Sequence, residues 1–137
     1  MSRPNQGSYV IYNRVLSPTG DKLAITFTGQ NNTLTVTPMT KSSNQVFNLT
    51  NNDTNTMFVV PQSSSGLQVG WGSNGATPMT PGGYVWTIKS SDAGYTIQDG
   101  GMSQNWHLDK AANNANVAIA ADQGNERYRW VLEPVSQ

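Results

Sequence analysis

The chain has 137 residues, eight basic and eight acidic side chains that cancel, and no cysteine. That length suits one domain; the charge balance argues against nucleic acid and gives no polybasic patch for a membrane surface; the missing cysteines remove disulfides, thiolate catalysis and Cys-ligated metals. Charged residues are only 12%, and Asn, Ser and Thr at 15, 13 and 14 predict a surface that is uncharged but rich in hydrogen-bonding groups. The opening residues 1–7 hold no hydrophobic run, and no apolar stretch approaches the roughly 18 residues of a membrane span. The expectation is a soluble cytoplasmic protein without a signal peptide. In chain order, short runs rich in Val, Ile, Thr, Tyr and Trp alternate with turn residues, which predicts strands. The first are Tyr9-Val10-Ile11, Leu23-Ala24-Ile25, Leu34-Thr35-Val36 and Gln45-Val46-Phe47. Then come Phe58-Val59-Val60, Leu67-Gln68-Val69, Thr77-Pro78-Met79 and Tyr84-Val85-Trp86-Thr87-Ile88. The last four are Tyr95-Thr96-Ile97, Trp106-His107-Leu108, Val117-Ala118-Ile119 and Tyr128-Arg129-Trp130-Val131-Leu132. The one candidate helix, residues 111–121, carries Asn113, Asn114 and Asn116 and reads better as a turn followed by a strand.

These runs fall into three units of four strands, over residues 8–50, 56–89 and 94–133. Each unit closes on an aromatic, Phe47, Trp86 or Trp130, at separations of 39 and 44 residues. Four-strand units of this length also suit a propeller blade, but a propeller needs at least about four blades. Three units predict an all-β, single-domain β-trefoil over residues 1–137, with the three aromatics stacked as core about a pseudo-threefold axis.

Catalysis has little support. His107 is the single histidine, Asp109 shares its strand face, and a histidine facing solvent or held by a hydrogen bond explains it better than a general base. The carboxylates are scattered, so neither an acid–base pair nor a metal site can be named, and no cofactor is expected. Gly70-Trp71-Gly72-Ser73-Asn74-Gly75 lacks the Lys and following helix of a phosphate-binding loop. Trp71 instead stands out as an indole between two glycines, in a loop-like context that lets a ligand approach the backbone. Alternation would put Tyr84 and Trp86 on one strand face and Val85 on the other, although Trp86 also occupies the repeated core position. An aromatic face in a neutral, amide-rich surface suits a sugar, whose C–H face stacks on a ring while its hydroxyls bond to polar groups. Trp106, with Asp99, Asn105 and His107 nearby, is a second candidate; its alternation with Leu108 equally fits a core position.

The closing strands resemble the Gln-x-Trp repeats of ricin-B-type trefoil lectins. Gln45-Val46-Phe47 keeps the Gln, whereas Tyr84-Val85-Trp86 and Tyr128-Arg129-Trp130 keep the Trp. Residues 9–18, Val69-Gly70-Trp71-Gly72, Gly83-Tyr84-Val85-Trp86 and Tyr95-Thr96-Ile97-Gln98-Asp99-Gly100 look more specifically like mushroom fruiting-body lectins that bind alpha-1,3-fucosylated chitobiose, the N-glycan core. The resemblance implies one extended site in the second repeat. Trp71, flanked by Gly72, and Tyr84 would be platforms for fucose and GlcNAc rings. Gly83, Val85 and Trp86 would give backbone hydrogen bonds and one edge of the cleft, and Met79 would pack on an N-acetyl methyl or ring carbons. Gly82 and Gly83 stand where that group carries Asn, and residues 73–77 differ, which implies a shifted linkage preference. Ordinary galactose binding is not expected, since units two and three lack the Gln. The resemblance further implies a defence role against nematodes or insects through fucosylated glycoproteins, with a homodimer to supply cross-linking. Two other classes stay open. A trefoil protease inhibitor would act through loops 17–20 or 50–55, and a carbohydrate-binding piece of a glycosidase would need a catalytic domain for which the chain leaves no room.

Overall fold

The computed structural model describes residues 3–91 and 94–135. Among them are twelve short strands, as the alternating runs lead one to expect. The first unit comprises β1 (Gly7–Asn13), β2 (Leu23–Thr26), β3 (Thr35–Pro38) and β4 (Val46–Asn51). The second holds β5 (Met57–Pro61), β6 (Gln68–Gly72), β7 (Gly75–Met79) and β8 (Trp86–Ser91). The third holds β9 (Gly94–Asp99), β10 (Asn105–His107), β11 (Ala118–Ala120) and β12 (Trp130–Pro134). Residues 111–117 form turns and loop rather than helix. Tyr84 and Val85 precede β8 instead of starting it, so strand alternation does not govern where their side chains go.

The first and last strands of each unit close a ring. β1 pairs with β4, β4 with β5, β5 with β8, β8 with β9, β9 with β12, and β12 returns to β1, all antiparallel. Closure leaves these strands without a free edge. The inner strands form hairpins β2–β3, β6–β7 and β10–β11 that cap the barrel. Three hydrogen bonds join the hairpins in a cycle: Leu34 N–H donates to Ala76 O at 2.8 Å, Ala76 N–H to Val117 O at 3.0 Å, and Val117 N–H to Leu34 O at 2.8 Å. Such a cycle is what a threefold axis through three equivalent backbones produces. The architecture is a β-trefoil.

The predicted aromatics fill the core: Phe47 and Trp130 are fully buried and Trp86 is 2% exposed. A buried indole N–H usually finds a partner. Trp86 Nε1 donates to Val69 O at 2.8 Å and Trp130 Nε1 to Trp106 O at 3.1 Å, equivalent carbonyls of β6 and β10. Phe47, which has no donor, needs no such acceptor in the first unit. Trp106 is fully buried and meets Trp86 edge-on at 5.0 Å between ring centroids. It is core, the alternative that its alternation with Leu108 offered, and it presents no aromatic face to a ligand.

Candidate functional site

The threefold cycle fixes which residues are equivalent. Two positions before each core aromatic stand Gln45, Tyr84 and Tyr128, and each covers one position on the second strand of its unit. Gln45 is 2% exposed, donates to Thr26 Oγ1, Thr37 Oγ1 and Pro38 O, and accepts from the N–H groups of Thr40 and Lys41. Tyr128 stacks on His107 at 4.4 Å between centroids, with the planes 9° apart. Tyr84 lies face-on over Gly70: a Cβ built there would stand 2.8 to 2.9 Å from Cγ, Cδ1 and Cδ2 of its ring. A Cβ at Gly82 would meet the far end of the same ring, Cε2 at 3.0 Å. Two bare glycines thus seat the phenol, and its half-buried side chain keeps an outward face. One slot is filled three ways, by an amide network, an imidazole stack and a ring on backbone.

Trp71 is the other exposed aromatic of this unit, at 46% exposure. It belongs to β6 and pairs with Ala76, so it is a strand residue and not the loop residue expected from its flanking glycines. The loop is only the two-residue turn Ser73–Asn74. Phe27 and Leu108 occupy the equivalent position and pack against the core; only Trp71 emerges this far. Alternation along β6 sets Gly70 and Gly72 opposite Trp71, so Tyr84 and Trp71 flank the strand from its two faces. Neither takes part in a ring–ring contact among the described residues.

The other expected contacts are distributed as follows. Gly72 is half-buried, and a side chain there would collide with Thr77 Oγ1. Gly83 is exposed at φ +77° with open space around its Cα, a left-handed position that Gly takes freely and Asn tolerates. Met79 ends β7 opposite Gln68, and Gln68 Oε1 accepts the Gly82 N–H at 3.3 Å. Val85 is half-buried, against Gly100. Trp86 buries its indole and gives its N–H to Val69 O, because the barrel requires that ring as core, which leaves its backbone for the expected contact.

Charge is absent from this surface. From Thr54 to Ile88 there is no Asp, Glu, Lys, Arg or His, and within the second unit Lys89 in β8 is the single formal charge. A neutral, hydroxylated ligand meets no charge to desolvate here. His107 sits elsewhere, 5% exposed, with Nε2 held by Asp109 Oδ1 at 2.8 Å; this is the hydrogen-bonded histidine of the sequence reading. Composition foreshadowed the neutral surface, but nothing in the local pattern pointed to the seating of Tyr84 on Gly70, which joins residues fourteen apart through a glycine.

The fold is that of the β-trefoils, and the family model adds the lectin character. Residues 7–130 match the model of the CCL2-like family, described as CCL2 lectin-like, and the chain belongs to that family. Curated protein sequences contain no match to it. Among solved structures it is similar to the Rhizoctonia solani agglutinin, at 19% identity, with 98% of this chain and 99% of that one covered and a TM-score of 0.79. It is also similar to the Macrolepiota procera ricin B-like lectin, solved in complex with lactose, at 15% identity, 98% and 100% coverage and a TM-score of 0.78. A mosquitocidal holotoxin gives a TM-score of 0.85 at 15% identity over 97% of this chain, which spans 18% of the length of that toxin. At these identities the likenesses establish the fold, and the family model carries the lectin character.

Proposed function

We propose that the second unit binds a fucosylated, GlcNAc-containing glycan, the alpha-1,3-fucosylated N-glycan core, with Trp71 and Tyr84 as its two aromatic platforms. The observation that carries this reading is the pairing of a 46% exposed indole with a phenol seated on Gly70, across one bare strand in a stretch, residues 54–88, that holds no formal charge. Platforms on two faces of a strand suit a branched sugar better than a linear one: one ring stacks on Trp71, another on Tyr84, and the branch crosses the backbone at Gly72. Met79 and Val85, both half-buried, offer apolar contact at the margins, while Gly82, Gly83 and the Gln68 amide supply hydrogen-bonding groups. The binding needs no bond-making step. A defence role would follow from cross-linking glycoconjugates in a consumer's gut, which one such site per chain achieves only through a dimer or another source of valency.

A glycan array with the full chain tests this. Core-fucosylated N-glycans should bind, and matched glycans lacking the fucose should not. Trp71→Ala should weaken binding by about 2 kcal/mol, roughly thirtyfold. Its stability should fall by no more than about 1 kcal/mol, as befits a half-exposed ring. Signal that ignores fucose, or that survives loss of the indole, would overturn the assignment.

A further inference from the structure

A separate feature lies on the barrel wall, where the outer faces of β8 and β9 meet the segment before β12. A cleft of about 430 Å³ opens there, lined by Lys89, Ser90, Thr96, Gln98, Asp122 and Arg129 among others. Lys89 and Thr96 are directly opposed across the β8–β9 ladder, and Thr87 is opposed to Gln98. Thr96 is 5% exposed, yet its Oγ1 has no hydrogen-bond partner. Gln98 Oε1 is likewise buried and without a partner, while its Nε2 leans on Asn105 Oδ1 at 3.4 Å. Buried hydroxyls and amides are normally satisfied, so two such atoms on the wall of one open cleft mark it as a place that receives hydrogen-bonding groups.

The charges specify which kind. Arg129 Nη1 is engaged by Asp122 Oδ1 at 3.1 Å. The Lys89 ammonium makes its contact with the Met102 thioether, 3.8 Å away, a weak acceptor. No carboxylate among the described residues lies within ion-pair distance of it. No aromatic ring is among the lining residues, so a neutral pyranose would find nothing to stack on. We infer that this cleft is a second binding site, specific for an acidic sugar. The ligand's carboxylate meets Lys89 and the Thr96 hydroxyl, and its ring hydroxyls bond to Gln98 Oε1. Because the site shares no residue with the Trp71–Tyr84 surface, it would give one chain two different glycan specificities and so supply valency without a dimer.

The test uses the ¹⁵N-labelled full chain titrated with D-glucuronate and, in parallel, with D-glucose. Glucuronate should move the amide signals of Lys89, Thr96 and Gln98, and glucose should leave them in place. Lys89→Gln should weaken glucuronate about tenfold, the scale of a charge-assisted hydrogen bond. Thr96→Val should weaken it too while leaving the melting temperature unchanged or raised, since it removes a hydroxyl without a partner. Trp71→Ala should leave glucuronate binding intact, which separates this site from the one proposed above. Equal shifts with glucose, shifts confined to residues 67–86 around Trp71 and Tyr84, or an unresponsive β8–β9 would each overturn it. So would a Thr96→Val variant that loses stability but binds normally, since that hydroxyl would then serve only the fold.

Discussion

A tyrosine ring that lies flat over a main chain needs an empty space under its Cγ, and Gly70 provides it. An added methyl there would stand 2.8 Å from Cγ, the fixed end of the ring, so the phenol cannot yield by bending its tip. Gly70 has no positive φ, so the backbone itself would accept alanine and the whole effect of the substitution runs through Tyr84. We expect Gly70→Ala to cost about 1 to 2 kcal/mol of stability, the range of mild overpacking, measured by urea denaturation. It should also weaken glycan binding as much as Tyr84→Ala does, although residue 70 offers a sugar no side chain. If Gly70→Ala binds normally, the seated ring is not a platform and the site rests on Trp71 alone.

At the scale of elements, the loop from β9 to β10 shows how a carboxylate holds a turn and makes it sensitive to acid. Asp99 Oδ1 accepts the N–H groups of Ser103 at 2.7 Å and Gln104 at 2.9 Å, and Oδ2 accepts the Ser103 hydroxyl at 3.1 Å. Partial burial raises the Asp99 pKa, but the hydrogen bonds from Gln104 and Ser103 outweigh it and hold the carboxyl below its ordinary value. A group depressed in the folded state stabilises fully above its unfolded pKa, near 3.9, and that contribution is lost as pH falls through the lower folded value. Asp99→Asn should therefore be less stable than the parent at neutral pH, and the gap should close as pH drops below about 4. Asp53, lowered by the N–H of Asn55 and the hydroxyl and N–H of Thr56, titrates in the same direction in both chains and cancels from the comparison. A gap that stays constant to about pH 3 would show that charge is not what Asp99 contributes. Such elements were unevenly legible in the sequence. The runs of alternating Val, Ile and Thr and the closing aromatics identified the strands and the trefoil, because both patterns are local. Trp71 misled because glycines at 70 and 72 resemble a loop, when they are there to admit the Tyr84 ring and Thr77. Trp106 was ambiguous because the position it shares with Ile25 and Val69 is set by three-dimensional equivalence between units. The polar cleft beside Lys89 left no trace at all, since it joins β8, β9 and the approach to β12 only after the barrel closes.

For the whole molecule, the pseudo-threefold axis decides which departures from symmetry can be tolerated. At that axis Leu34, Ala76 and Val117 exchange their cycle of backbone hydrogen bonds, and Gly75 passes beside it at φ +137° with its Cα turned on the Val117 carbonyl. A side chain at 75 would collide with that carbonyl and then with Ala118, both of them backbone held by the third unit. Neither can swing aside without breaking the Ala76–Val117 hydrogen bond. Gly83, in the same unit, has a left-handed φ of +77° but open space around it. The two glycines separate conformational strain from collision at the axis. Gly83→Ala should cost about 1 kcal/mol, the penalty for placing a Cβ in the left-handed region. Gly75→Ala should cost roughly 3 kcal/mol or more, because strain and a backbone clash add. Because the clash joins the second unit to the third, its effect should spread beyond the β6–β7 hairpin. Amide hydrogen exchange in Gly75→Ala should accelerate at Leu34, Ala76 and Val117 together, whereas Gly83→Ala should leave all three protected. Equal costs for the two substitutions, or loosening confined to the second unit, would mean that the three hairpins do not act as one cap.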